Sequence, residues 1–542
     1  MFSSHSTFVK GAAILAAAGI ASRIVGAFFR IVLAALLGDE GIGLFQYAYP
    51  IYTTLLVIST AGIPVALSKI MAEKIALNDY REAIRVFKIV FSILTLTGFS
   101  ITLVMLLSVE YIATVMIKDV KAVYPLMVMA PAIFFVTIMA AVRGFFQGQQ
   151  NMMPTAASQI LEQLVRVGFS IALVIILLPR GVELAVAGAT SGTVIGAVAG
   201  LLLLAAFYRT KQHQLRTLAS EQHYHHPEPF SRIAGRIALL AVPITIGSLA
   251  MPLLTVTDLA VVPRQLQAAG FDIERARALY GQLTGMAGSV VNFPNVIAIA
   301  LSMSLVPTIS EAYTLRDKAL INSRVAVAVK LTVLFSLPSA IGLFLLAEPI
   351  TVLLFNNAEA GYSLAFLSWS VVPLCLYVTT TGIIQGLGRP ITPAVNMFYG
   401  GLVKLVLTWF LTAIPALNVG GAALATVIGI GVAASLNLYH VTIFTEWRCR
   451  LRELVLLPGI AVAVMAIVVY IVYYVLLWAA APLMPFSRLN ALATLMAIIS
   501  GIFFYGAALL VSGGLGRDEL TAVPIIGKHL LSLAMRFKLL CS

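Results

Sequence analysis

Two arginines inside an otherwise apolar stretch are the residues of this sequence whose type and spacing most directly imply chemistry. Arg23 and Arg30 stand seven residues apart, which on an α-helix is about 10 Å along one face. Gly19, Arg23, Gly26 and Arg30 fall at i, i+4, i+7 and i+11, a single stripe that alternates small residues with guanidiniums. Arg never loses its proton and grips phosphate oxygens in a bidentate fork, so the stripe suits a polyanion such as a pyrophosphate. Arg30 lies near enough to the end of its run to snorkel or pair locally, whereas Arg23 sits mid-run.

Four more charges fall inside apolar runs. Glu162 and Arg166 are an i, i+4 pair able to bridge within one helix. Lys404 occupies nearly the equivalent place in the second half of the chain and has no acidic neighbour within a turn, which makes it a better candidate for anion binding than Arg166. Asp258 is the sole charge between Arg236 and Arg264, on a helix bent by Pro243 and Pro252, and either binds a cation or reaches the membrane interface. The cluster His223, Tyr224, His225, His226 reads as a solvated linker, since no Cys or carboxylate constellation accompanies it. Cys375, Cys449 and Cys541 are too scattered for a disulfide framework or a zinc site. No nucleophile motif or phosphate loop is present, and no metal ligand set, so no catalytic residue is expected.

The elements that must carry these residues follow from composition. Of 542 residues 60% are apolar and 11% charged, against about 45–50% and about 25% in soluble domains. That excludes a soluble enzyme, and the 35 bases and 22 acids behind the net charge of +13 are too sparse for a nucleic-acid surface. Runs of about 20 apolar residues recur almost end to end, too long for barrel strands, so the chain reads as an all-α polytopic membrane protein with about fourteen transmembrane helices. The spans read approximately as 11–37, 44–70, 87–109, 122–143, 155–178, 183–207, 237–263, 281–309, 325–347, 362–386, 392–414, 418–444, 454–480 and 489–512. The first, which contains arginines and no clear cleavage site, reads as a retained helix.

Bases concentrate in alternate loops: Lys74, Arg81 and Arg85; Arg209, Lys211, Arg216, Arg232 and Arg236; Arg316, Lys318 and Arg324; Arg448, Arg450 and Arg452. The positive-inside rule puts these loops and both termini in the cytoplasm, with Arg264, Arg275 and Arg277 as the main exception. In the tail, Lys528, Arg536 and Lys538 accompany an apolar stripe suited to an amphipathic helix on the inner leaflet.

Three sequence pairs recur six helices apart at nearly constant offset. Ile63-Pro64 matches Val306-Pro307, Gly144-x-x-Gln147-Gly148 matches Gly382-x-x-Gln385-Gly386, and Thr193-Val-Ile-Gly196 matches Thr426-Val-Ile-Gly429. Advancing six helices preserves orientation, so the halves are parallel repeats. The expected division is a first six-helix lobe over 1–209, a cytoplasmic linker over 210–231, a second lobe over 232–446, two additional helices over 447–513 and the amphipathic tail over 514–542.

The stretches Ser22-Arg-Ile-Val-Gly26, Gly38-Asp-Glu-Gly-Ile-Gly43, Gly62-Ile-Pro-Val-Ala-Leu-Ser68, Arg143-Gly-Phe-Phe-Gln-Gly148 with Pro154, Glu162-x-x-x-Arg166, and Val306-Pro307 with Glu311 resemble the stage V sporulation protein B-like and MurJ-type flippases of the multidrug/oligosaccharidyl-lipid/polysaccharide (MOP) superfamily. The resemblance implies two six-helix lobes in a V shape, with two extra helices bordering a groove for a lipid tail. It also implies transport of a polyprenyl-diphosphate-linked saccharide, lipid II foremost, from the inner to the outer leaflet by alternating access. First-helix arginines handle substrate in that family, and Arg23 and Arg30 look like their counterparts, with Asp258 placed for a sodium site. Expected partners are the lipid-linked oligosaccharide, membrane lipids and cell-wall synthesis proteins, in the bacterial cytoplasmic membrane. No cofactor is expected beyond a coupling Na+ or H+.

Two other classes compete. A cation-coupled multidrug antiporter of the same superfamily calls for an acidic cavity, whereas the charges here are basic. A polytopic lipid-linked glycosyltransferase calls for acidic or metal-binding residues in sizeable loops, and the outer loops here are short.

Overall fold

The computed structural model describes residues 2–60, 62–220, 228–447, 456–480, 482 and 484–512. The expected histidine linker, the arginines 448, 450 and 452 and the amphipathic tail lie outside the described residues. Every regular element among the described residues is helical, and the chain divides into two units, Met1–Gly281 and Gln282–Ser542.

The first unit holds α1 (Phe2–Thr60), α2 (Ile63–Ala76), α3 (Tyr80–Tyr111), α4 (Val123–Gly148), α5 (Met153–Leu177), α6 (Val182–Ser220), α7 (Phe230–Ala268) and α8 (Ile273–Gly281). The expected span 44–70 and all of 11–37 from residue 17 onward fall within the helical stretch Ala17–Ala76, which has 60 residues, far more than one crossing requires. Two glycines break it. Gly38 takes φ 68 inside α1, and Gly62 takes φ 66 before Ile63-Pro64, where a Cβ would collide with the Ala241 carbonyl. Pro64, in the first turn of α2, gives up only an N–H that has no intrahelical acceptor there. α7 therefore packs on α1 and α2 in this unit, with Ile233, Ile237 and Ala241 joining the core formed by Leu67, Ile70, Val86, Phe87 and Phe145.

The second unit begins with a π-turn at Gln282–Ala287 and continues through α9 (Gly288–Thr314), α10 (Lys318–Leu345), α11 (Ala347–Phe355), α12 (Ala360–Ser368), α13 (Val371–Gly386), α14 (Ile391–Leu411), α15 (Asn418–Thr445), α16 (Leu457–Ala480) and α17 (Phe486–Val511). Its core gathers Leu305, Ile309, Val325, Val329, Ile383, Ile384 and Val441. α12 and α13 form one span bent by 49°. Counting that pair once, the described residues contain 13 stretches long and apolar enough to cross a membrane, against the fourteen expected. Ala17–Ala76 alone covers two of the fourteen.

The sequence repeat reappears in the packing. Gly144 and Gly148 let α4 approach α2 at Pro64 and Ser68, and Gly382 and Gly386 let α13 approach α9 at Ser302 and Val306. Small residues at such crossings bring backbones close where there is no hydrophobic drive between helices.

Arg277, an expected exception to the charge rule, is buried at 1% exposure. Its Nε donates to Asp119 at 2.6 Å and its Nη1 to Glu40 at 2.5 Å. Lys121 beside it lies within 3.4–3.6 Å of Glu40, Glu183 and Glu274. The base is neutralised by acids from α1 and from the turn before α4, which accounts for its place in an otherwise base-poor set of loops.

Candidate functional site

α6 presents Gly192, Gly196 and Gly200 to α5. A Cβ on Gly196 would meet the Glu162 carbonyl at 2.7 Å and the Arg166 Cβ at 2.9 Å, so the missing side chains seat α5 closely on α6. The opposite side of α5 then meets α1 at Gly26. A Cβ there would lie 3.1 Å from Gln163 Nε2 and 3.8 Å from Arg166 Nη2, so the glycine of the stripe is the opening through which α5 delivers its polar groups.

Arg23 and Arg30 flank that opening along the same face. Arg23 is exposed and Arg30 half-buried, with the Arg30 guanidinium carbon 5.0 Å from the centroid of Tyr49. Arg166 Nη2 donates to Gln163 Oε1 at 2.6 Å. The Arg166 Nε, the Gln163 Nε2, the Gln159 Oε1 and the Ser22 Oγ are buried and have no hydrogen-bond partner among the described residues. None of Arg23, Arg30 and Arg166 is ion-paired among the described residues. Three guanidiniums and several unspent polar atoms thus share one helix seam, an arrangement with capacity for an anion and without one of its own.

The intrahelical bridge expected of Glu162 and Arg166 is not made. Glu162 Oε2 accepts from Arg143 Nη2 at 2.8 Å, and Arg143 Nε donates to Ser158 Oγ at 3.0 Å. The acid is thus paired across to α4, and Arg166 is left without an acidic partner among the described residues. Sequence reasoning had noted Arg143 only as part of a motif and passed over Gln163 and Tyr49. The position of Arg143 at the end of an apolar run, with Glu162 as an acid in the next run, was the available signal.

Lys404 lies on α14 in the second unit, buried at 7% exposure. Gly429 of α15 packs on its Cα and Cβ, as Gly196 of α6 packs on Arg166. Lys404 and Arg166 are therefore repeat equivalents in packing as well as in sequence, while Gly400 stands where the repeat would put the counterpart of Glu162. Asp258 lies half-buried on α7 in the first unit. Cys375 is a free, buried thiol. No group of His, Cys, Asp and Glu that could hold a metal ion occurs among the described residues.

Comparison with known proteins agrees with this architecture. The polysaccharide biosynthesis protein family matches residues 8–313, and the MatE family matches residues 284–410. Stage V sporulation protein B of Bacillus subtilis (strain 168) is 29% identical over 530 residues, covering 97% of this chain and 99% of that protein. Lipid II flippase MurJ of the same organism is 28% identical over 492 residues, covering 87% and 89%. A solved structure of lipid II flippase MurJ in an inward closed conformation superposes with TM-score 0.65 at 14% identity, covering 91% of this chain and 98% of that one. The chain belongs to the polysaccharide biosynthesis protein family and is a multi-pass membrane transporter of the MOP flippase superfamily.

Proposed function

We propose that this transporter carries a polyprenyl-diphosphate-linked saccharide, lipid II foremost, from the inner to the outer leaflet by alternating access. The observation that carries the reading is the seam of α1 and α5, where Arg23, Arg30 and Arg166 are without ion-pair partners among the described residues while the nearby acid, Glu162, is held by Arg143. A diphosphate supplies the anionic oxygens those guanidiniums call for. Glu162 acts through Arg143 as a positioning residue, and Lys404 is the corresponding cation of the second repeat. The polyprenyl chain stays in lipid, where its transfer costs nothing, and only the head group needs a polar path.

Turnover needs no nucleotide, since the sequence holds no phosphate loop, and draws on an ion gradient or the membrane potential, with Asp258 as the candidate cation ligand. Both termini face the cytoplasm under the charge rule. The basic character of the seam argues against a cationic drug as cargo. Expression in cells depleted of their lipid II flippases is expected to restore growth, and Arg23→Ala and Arg30→Ala are expected to abolish the rescue at equal membrane abundance. Rescue by both variants would remove the diphosphate role.

A further inference from the structure

Three helices of the second unit end together around a cavity that the proposed transport does not use. α9 ends at Thr314, α13 at Gly386 and α15 at Thr445. Tyr313, Leu387, Arg389, Ile443 and Phe444 line a cavity of about 320 Å³ there. Arg389 is exposed, and its guanidinium carbon stands 4.1 Å from the centroid of Phe444. A guanidinium held over a ring satisfies its face by cation–π attraction and leaves its N–H edges for hydrogen bonding.

The acids at this end are already engaged. Glu446 accepts from Lys318 at 2.6 Å, Glu311 pairs with Arg324 at 3.3 Å, and Asp317 caps α10 by accepting from the Leu320 amide at 2.9 Å. Arg389, and Arg316 just beyond α9, have no side-chain hydrogen bond or ion pair among the described residues. Among the described residues here, Arg316, Lys318, Arg324 and Arg389 stand against Glu311, Asp317 and Glu446, so the surplus at this end is positive.

We propose that the cavity binds the phosphate of an anionic phospholipid head group, with Arg389 as its ligand and Leu387, Ile443 and Phe444 covering the glycerol and first acyl carbons. A soluble phosphate would have no use for that apolar lining, whereas basic pockets between helix ends on the positive-inside face attract anionic head groups. Tyr313, half in and half out, suits the interfacial depth this requires.

The test counts lipids retained by the full-length protein in native mass spectrometry, with phosphatidylglycerol and phosphatidylcholine offered together. The wild-type protein is expected to prefer phosphatidylglycerol by about fivefold, the discrimination one well-placed base near a membrane surface supplies. Arg389→Gln is expected to bring the preference within about twofold, and Arg180→Gln, at an exposed turn of the first unit, to leave it unchanged. Phe444→Leu keeps the apolar volume but removes the ring under the guanidinium, and is expected to weaken the preference should Arg389→Gln fail to fold. Equal retention of the two lipids by the wild-type protein would overturn the proposal. So would an undiminished preference in both variants, or displacement of phosphatidylglycerol by inorganic phosphate, which would mark a soluble-anion site.

Discussion

The guanidinium of Arg30 lies 5.0 Å from the ring of Tyr49, although a straight helix would hold these residues about 28 Å apart. The chain doubles back between them, and Gly38, at φ 68, is the residue that lets it. The reversal brings both the ring and the hydroxyl of Tyr49 to Arg30, so the cation is held without an acid and keeps its remaining N–H groups for a ligand.

Tyr49→Phe, which gives up the hydroxyl's hydrogen bond with Arg30 but keeps the ring face, should therefore impair transport less than Tyr49→Leu, which also loses about 0.5–2 kcal/mol of cation–π interaction. A Cβ on Gly38 meets nothing within 4 Å. Gly38→Ala should accordingly show backbone strain alone, about 1–3 kcal/mol in a thermal melt, since φ 68 with ψ −173 is a region essentially restricted to glycine. A transport defect in Tyr49→Phe equal to that of Tyr49→Leu would show that the hydroxyl, not the ring, positions Arg30.

Close seating of α5 on α6 gives a second prediction. Gly196→Ala forces a methyl against the Glu162 carbonyl and Arg166, and overpacking of this kind costs about 1–3 kcal/mol. Gly168→Ala on α5 meets open space and should be neutral or slightly stabilising, given the helix propensity of alanine. Thermal melts of both in one detergent check the contrast.

The buried base in the middle of α8 is more demanding. Removing one partner of a buried ion pair strands the other, at a cost of about 3–5 kcal/mol. Arg277→Met leaves Asp119, itself 4% exposed, without its base, and is expected to lower the melting temperature more than any change at Arg23 does. A melt matching that of the Arg23 variant would contradict the buried pairing.

The stripe of Arg23, Gly26 and Arg30, the repeat pairs and the equivalence of Arg166 with Lys404 were legible because helical periodicity and charge scarcity are local properties. The partner of Glu162 was not, since choosing between Arg166 one turn away and Arg143 on another helix depends on how α4 and α5 pack. The repeated Ile63-Pro64 and Val306-Pro307 also behave differently: Gly62 permits a break before the first, whereas α9 runs on through Pro307. A shared motif specifies a helix crossing, and the residue preceding it decides whether the helix continues.

Acid sensitivity follows from Glu228, just before α7. The hydrogen bond from Lys74 at 2.6 Å, aided by the charge of Arg236, holds its carboxyl below the ordinary value of 4.5. The folded state then binds this proton less tightly than the unfolded chain. The stabilisation is whole above pH 4.5 and is lost as the pH falls through the lower folded value. Glu228→Gln should flatten the acid limb of a melting-temperature profile and leave the second unit's Lys318–Glu446 pair untouched. An unchanged acid limb would assign the sensitivity to another carboxylate.

The most direct measurement is the appearance of lipid II in the outer leaflet of flippase-depleted cells expressing this chain, with Arg30→Ala and Arg166→Ala beside it at matched abundance. Outward exposure with the wild-type chain and its loss with Arg30→Ala, Arg166→Ala giving a partial loss, is the expected result. Absence of exposure with the wild-type chain, or full exposure with both variants, would contradict transport of a diphosphate through the α1 and α5 seam.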